Sequence, residues 1–172
     1  MTICVFHEWG HVTRNKLFGG TCHYMVIWPL GGFSDTYLEN GTCLQEFWVA
    51  LCGPLMHLPQ FAIFVVVMAI AAPNGLDYYS SPASADQLQA AGADLFFAQL
   101  MKGAIDVNMM LFFLNLLVPA YPLDAARMLA AMSVNCGLSV VKAAWVLVIV
   151  GGLMGLGALI FGIIGLITGH HL

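Results

Sequence analysis

From Val140 to Thr168 the chain carries one charged side chain, Lys142, among Val, Leu, Ile, Gly and Ala. A helix needs about 20 consecutive apolar residues to cross the hydrocarbon core of a bilayer. A backbone in lipid can satisfy its polar groups only within helices or closed barrels. This run is therefore expected to be a transmembrane helix, and two further stretches follow the same logic. Residues 47 to 72 are apolar apart from His57 and Gln60 and are interrupted by Pro54 and Pro59. Residues 94 to 118 hold Lys102, Asp106 and Asn108, then run apolar until Pro119 and Pro122 end the helical pattern.

Composition agrees with a membrane protein. Of 172 residues, 60% are hydrophobic and 8% charged, against roughly 25% charged in soluble domains. The formal net charge of -4 is spread thinly with no basic run, which excludes nucleic acid and a polybasic lipid contact as partners. The expected partners are the lipid bilayer and a membrane protein. Cys4, Cys22, Cys43, Cys52 and Cys136 form no CxxC pair and read as ordinary buried small residues. The opening MTICVF has neither the basic region nor the full apolar core of a signal peptide.

Between these runs the pattern changes. Residues 14 to 46 are more polar and rich in Gly, with a β-prone stretch from Cys22 to Trp28 ending at Pro29. They are expected to form a loop with a short strand or hairpin against the membrane. Residues 73 to 93 read as an exposed loop, and Asp124 to Asn135 as a short helix. Gly151, Gly152, Gly155, Gly157, Gly162 and Gly165 lie at spacings that permit close helix packing. With no internal repeat and no linker, residues 1–172 are expected to be one membrane domain.

The chemistry begins at HEWGH, residues 7 to 11. Residues four apart on a helix share nearly one face, so His7 and His11 can offer two imidazole nitrogens to one metal ion. Glu8 is adjacent, placed to reach a metal-activated water without being a ligand, as in zinc hydrolases. Two ligands do not make a catalytic site, because catalytic zinc usually takes three.

Topology supplies the third. If the HEWGH helix ends on one side of the membrane, the second helix leaves that side and the third returns to it near Pro119, which brings Asp124 to the two histidines. Arg14, Lys16, Arg127 and Lys142 then share that side, with Lys102 towards the other, so the tendency of basic residues to stay inside makes it cytoplasmic. A carboxylate at membrane depth is costly unless it is paired or bound to metal, which makes Asp124 a ligand candidate. The alternative role for Asp124 is to cap the helix starting at Ala125.

Taken together, these segments resemble the site-2 protease family of intramembrane zinc metalloproteases. HEWGH matches the family's HExGH, and NLLVPAYPLDAAR, with Asn115 and Asp124, matches its second signature. WPLGGF, residues 28 to 33, and ALCGPLMH, residues 50 to 57, are similar to intermediate segments of the family. The usual LDGG reads LDAA here, and His57 stands where an Asn is usual. The resemblance implies zinc ligands at His7, His11 and Asp124, a catalytic base at Glu8, and substrate contact at Asn115. The fold it implies is an all-α polytopic membrane protein, with a three-helix protease core, a small β-hairpin region and an added C-terminal transmembrane helix. The implied activity is zinc-dependent cleavage of transmembrane or membrane-anchored substrates, as in regulated intramembrane proteolysis.

Six residues precede His7, so the zinc-ligand helix is expected to continue upstream of Met1 in a longer protein. Two rival readings are a catalytically inactive scaffold of the same fold and a channel using Lys102, Asp106 and Asn108 as a polar path. His23 and His57 are expected to be structural or to support the ligands. His170 and His171 are expected to be solvated.

Overall fold

The computed structural model describes residues 2–28, 31–71 and 92–168. Within them the chain is mostly helical with one small two-stranded sheet. The order is α1 (Thr2–Leu17), β1 (Thr21–Trp28), β2 (Gly31–Tyr37), α2 (Cys43–Leu55), α3 (His57–Ala71), α4 (Gly92–Leu117), α5 (Asp124–Asn135) and α6 (Val140–Thr168). The loop expected over 73 to 93 lies almost wholly outside the described residues, as do His170 and His171.

Helix α1 runs beyond residue 13, where the loop was expected to begin. Its last turn carries Arg14 and Lys16, which complement the negative end of the helix dipole. Gly19 then takes a φ of 84°, Gly19 N–H bonds to the Lys16 carbonyl and Gly20 N–H to that of Asn15, each at 2.9 Å. This pair of bonds closes a helix through a left-handed glycine. Asn15, 1% exposed, donates through Nδ2 to the carbonyls of Thr21 at 2.7 Å and Tyr37 at 3.2 Å. The open end of the β1–β2 hairpin is thereby tied to the end of α1. The strands pair antiparallel from Thr21 opposite Tyr37 to Trp28 opposite Gly31, with a bulge between Cys22 and Met25.

The second apolar helix starts at Cys43, earlier than the expected residue 47, because Thr42 and Gln45 form a reciprocal cap. Gln45 N–H bonds to the Thr42 hydroxyl, and Thr42 N–H bonds to the Gln45 carboxamide at 2.8 Å. Proline at 59 has no N–H for the Leu55 carbonyl and crowds it, and α2 gives way to α3 at Met56. The two nevertheless run on as one apolar stretch, Cys43–Ala71. This stretch, Phe96–Leu117 and Val140–Thr168 are long and apolar enough to cross a membrane.

Packing turns polar side chains inward. His7, Glu8, His11, Asn15, Ser34, His57, Gln60, Asn108 and Asp124 are buried, while Ile63, Val66, Ile70, Phe113, Leu153 and Ile160 are exposed. Soluble domains show the reverse. Helix α2 lies between α1 and α5, α3 packs on α4, and α6 packs on α5. Helix α6 stands largely apart: its one buried residue is Ala143. The close packing expected of its glycines is absent at Gly152, Gly155, Gly157 and Gly162, where an added Cβ would meet no atom within 4 Å. Of the cysteines expected to be buried, Cys4 is, whereas Cys22, Cys43 and Cys52 are half-buried and Cys136 is exposed.

Candidate metal centre

One turn apart on α1, His7 and His11 bring their Nε2 atoms to 3.1 Å. The chain from α4 breaks after Leu117 and restarts as α5 at Asp124, whose carboxylate closes the group. Asp124 Oδ2 lies 3.0 Å from His7 Nε2, and Oδ1 lies 3.2 Å from His11 Nε2. Leu123 occupies the capping position with no side-chain cap bond, so the Asp124 carboxylate is not spent on capping. Sequence reasoning placed these three residues on one side of the membrane, and the folded chain brings them into contact.

The donor set fits a divalent cation. His11 Nδ1 lies 2.8 Å from the Val49 carbonyl, which can only accept, so Nδ1 carries the proton. In the neutral ring Nε2 is then a bare lone pair, and it points at an ionised carboxylate. Burial pushes the Asp124 carboxyl up, but positive charge at the His11 and His7 ring nitrogens outweighs it and holds the group well below the usual carboxylate range; a metal ion bound there supplies that charge in place of ring protons. Its Oδ2 is buried without a hydrogen-bond partner. Lone pairs converging on an anion need a cation among them. Tetrahedral zinc with ligand bonds of about 2.0–2.1 Å has ligand-to-ligand edges of about 3.3 Å, close to the three separations here.

Glu8 is buried beside this group, and its carboxylate lies within 4.8 Å of donor nitrogens of both histidines. Two features of β2 set it there. Gly32 and Ser34, two apart on a strand, share one face. A Cβ at Gly32 would lie 2.7 Å from Glu8 Cγ, so glycine leaves the space that the carboxylate stem fills. Ser34 Oγ donates to Glu8 Oε2 at 2.7 Å. Glu8 is thus held by the hairpin, whereas Asp124 directly touches both Nε2 atoms; Asp124 is the third ligand candidate and Glu8 the candidate base beside it.

The helix behind His11 is shaped to the ring. An added Cβ at Gly53 would fall 2.2 Å from His11 Nε2, so only glycine permits α2 to lie there. Ala125 and Ala126, in place of the paired glycines of LDGG, are buried at 7% and 0% exposure, and Asp124 keeps its contacts beside them. Arg127 approaches Asp124 Oδ1 at 4.0 Å and Glu46 at 3.7 Å.

Two cavities of about 270 Å³ meet at the site. One is lined by His7, Glu8, His11, Asp124 and Arg127 with the polar side of β2. The other is more apolar and includes Cys4, Trp28, Phe33, Leu111 and Leu123. His7, Glu8 and Asn115 border both. Asn115 lies on this shared wall with its Nδ2 donating to the Leu111 carbonyl at 3.0 Å. His23 pairs with Asp35 at 3.2 Å on the exposed hairpin and lines neither cavity. Lys102 and Asp106 form an exposed pair at 2.9 Å, while Asn108 is fully buried.

Sequence reasoning missed Ser34 and Gly53. For Ser34 the available signal was its position two after Gly32 in an alternating strand; Gly53 stood within a noted segment, but which atom it admits depends on the helix crossing. Compared with known protein families and with curated proteins, the chain matches none.

Proposed function

We propose that the chain is an intramembrane zinc metalloendopeptidase of the site-2 protease type, a multi-pass membrane protein that cuts transmembrane or membrane-anchored substrates near the cytoplasmic face. The observation that carries this reading is the meeting of His7, His11 and Asp124 at 3.0–3.2 Å with Glu8 beside them. It is supported by the motifs HEWGH and NLLVPAYPLDAAR, which occur in the order of that family. Paired cavities, one of mixed lining and one mainly apolar, suit a reaction that needs both water and an apolar segment.

His7, His11 and Asp124 would hold a zinc ion, which would supply Lewis acidity towards a water or a peptide carbonyl. Glu8 accepts the proton of the attacking water and returns it to the leaving amine. Ser34 engages one Glu8 oxygen and so orients the carboxylate. Asn115 offers a carboxamide to the substrate backbone from the wall shared by both cavities. A helical substrate must unwind locally, because its peptide groups are otherwise hydrogen-bonded within the helix.

The full chain purified in detergent without chelators is expected to hold about one zinc. Glu8→Gln is expected to retain zinc and lose more than about 100-fold in cleavage of a membrane-anchored peptide. Absence of stoichiometric zinc overturns the reading. Zinc without Glu8-dependent cleavage points to the inactive scaffold.

A further inference from the structure

Asn108 is fully buried, midway along the apolar helix α4, and His57, at the start of α3, is 1% exposed. Burying two polar side chains among apolar helices is unfavourable unless their hydrogen bonds are made. Here every bond can be assigned a direction. Asn108 Nδ2 lies 2.8 Å from the His57 carbonyl, which only accepts, so this atom is the amide nitrogen and Oδ1 is the acceptor. Oδ1 faces His57 Nδ1 at 2.8 Å, so Nδ1 carries the proton and Nε2 of the neutral ring is a lone pair. That lone pair faces His7 Nδ1 at 3.0 Å, so the His7 proton sits on Nδ1. His7 Nε2, the atom 3.0 Å from Asp124 Oδ2, is left unprotonated for a metal.

We propose that Asn108 and His57 form a relay that sets the tautomer and ring orientation of His7, making both of them positioning residues for metal binding. The inference rests on the zinc reading above. It also gives His57 a chemical reason: a side chain in this place must reach His7 while remaining bonded to Asn108, and imidazole has nitrogens at both ends. If Asn108 only joined α3 to α4, the His57 ring would have no need to present a lone pair to a second imidazole.

The test measures Zn2+ affinity of the detergent-purified full chain by competition with a chromophoric chelator, with helicity and monodispersity checked for each variant. His57→Phe keeps a ring but has no acceptor, and is expected to weaken zinc about 10- to 100-fold. Asn108→Leu frees the His57 proton to move to Nε2, which drives the His7 proton onto its ligating nitrogen; a loss of about 10-fold is expected. Combining Asn108→Leu with His57→Phe is expected to be no worse than His57→Phe alone. His57→Gln, whose carboxamide oxygen can reach the Nε2 position, is expected to stay within about threefold of wild type.

Folded single variants with wild-type affinity overturn the relay, as do losses that simply add in the double variant. A wild-type chain that binds no zinc overturns the metal reading itself and the relay with it. Nitrogen-15 shifts of His57 in the zinc-loaded wild type need no variant. A protonated Nδ1 with a bare Nε2 supports the relay, and a protonated Nε2 overturns it.

Discussion

Gly53→Ala tests whether α2 is shaped to hold a metal ligand. The added Cβ falls 2.2 Å from His11 Nε2 and 2.3 Å from Cε1, whereas ordinary contact begins at 3.4 Å. The ring or the helix must therefore yield by about 1.2 Å, the difference between 3.4 and 2.2. The ring is poorly placed to retreat, since its Nδ1 is bonded at 2.8 Å to Val49 of the same helix. Metal–ligand distances tolerate only about 0.2 Å. Overpacking of this kind costs about 1–3 kcal/mol, and each 1.4 kcal/mol is about tenfold in affinity. Chelator competition on the detergent-purified variant is expected to show zinc weakened by about 5- to 100-fold. Gly155→Ala, which would meet nothing within 4 Å, is expected to leave zinc affinity unchanged. In a His11→Ala background the thermal destabilisation caused by Gly53→Ala should disappear, because the ring it strikes is gone. A folded Gly53→Ala protein that binds zinc as wild type does would refute the reasoning.

Two further outcomes separate positioning of the base from support of the fold. Ser34→Ala removes the hydroxyl 2.7 Å from Glu8 Oε2; hydrogen bonds to charged groups contribute about 1.5–3 kcal/mol, so kcat/KM should fall about tenfold or more while zinc content stays at wild-type level, and reduced zinc would contradict the assigned role. Thr42→Ala removes the reciprocal cap of α2 and should lower stability by about 1 kcal/mol, seen as a reduced melting temperature with zinc stoichiometry intact.

The helices and ligand candidates were largely legible because each depends on a local pattern. The apolar runs predict α3, the later part of α4 and α6 through the length of a bilayer crossing. His7 and His11 are neighbours through helix periodicity alone, and segment parity places Asp124 on their side. The start of α2 lay in the Thr42–Gln45 spacing, a local signal outweighed by the polar look of residues 14 to 46. The bonds that make a site of these residues join distant parts of the chain. Ser34 reaches Glu8 across 26 positions, and His57 reaches Asn108 across 51. Their meeting follows from helix crossings and from the hairpin lying against α1, which no run of neighbouring residues encodes.

What the sequence determined by itself was the candidate solvent and the candidate chemistry: stretches long and apolar enough to cross a membrane, and two imidazoles with a carboxylate on one helix. The tertiary structure decided which carboxylate touches both histidine Nε2 atoms and which is held by the hairpin. Asp124 and Glu8 are both buried acids. They are told apart by what packs beside them, two Nε2 lone pairs for one and a serine hydroxyl for the other, and side-chain direction is set by packing rather than by composition.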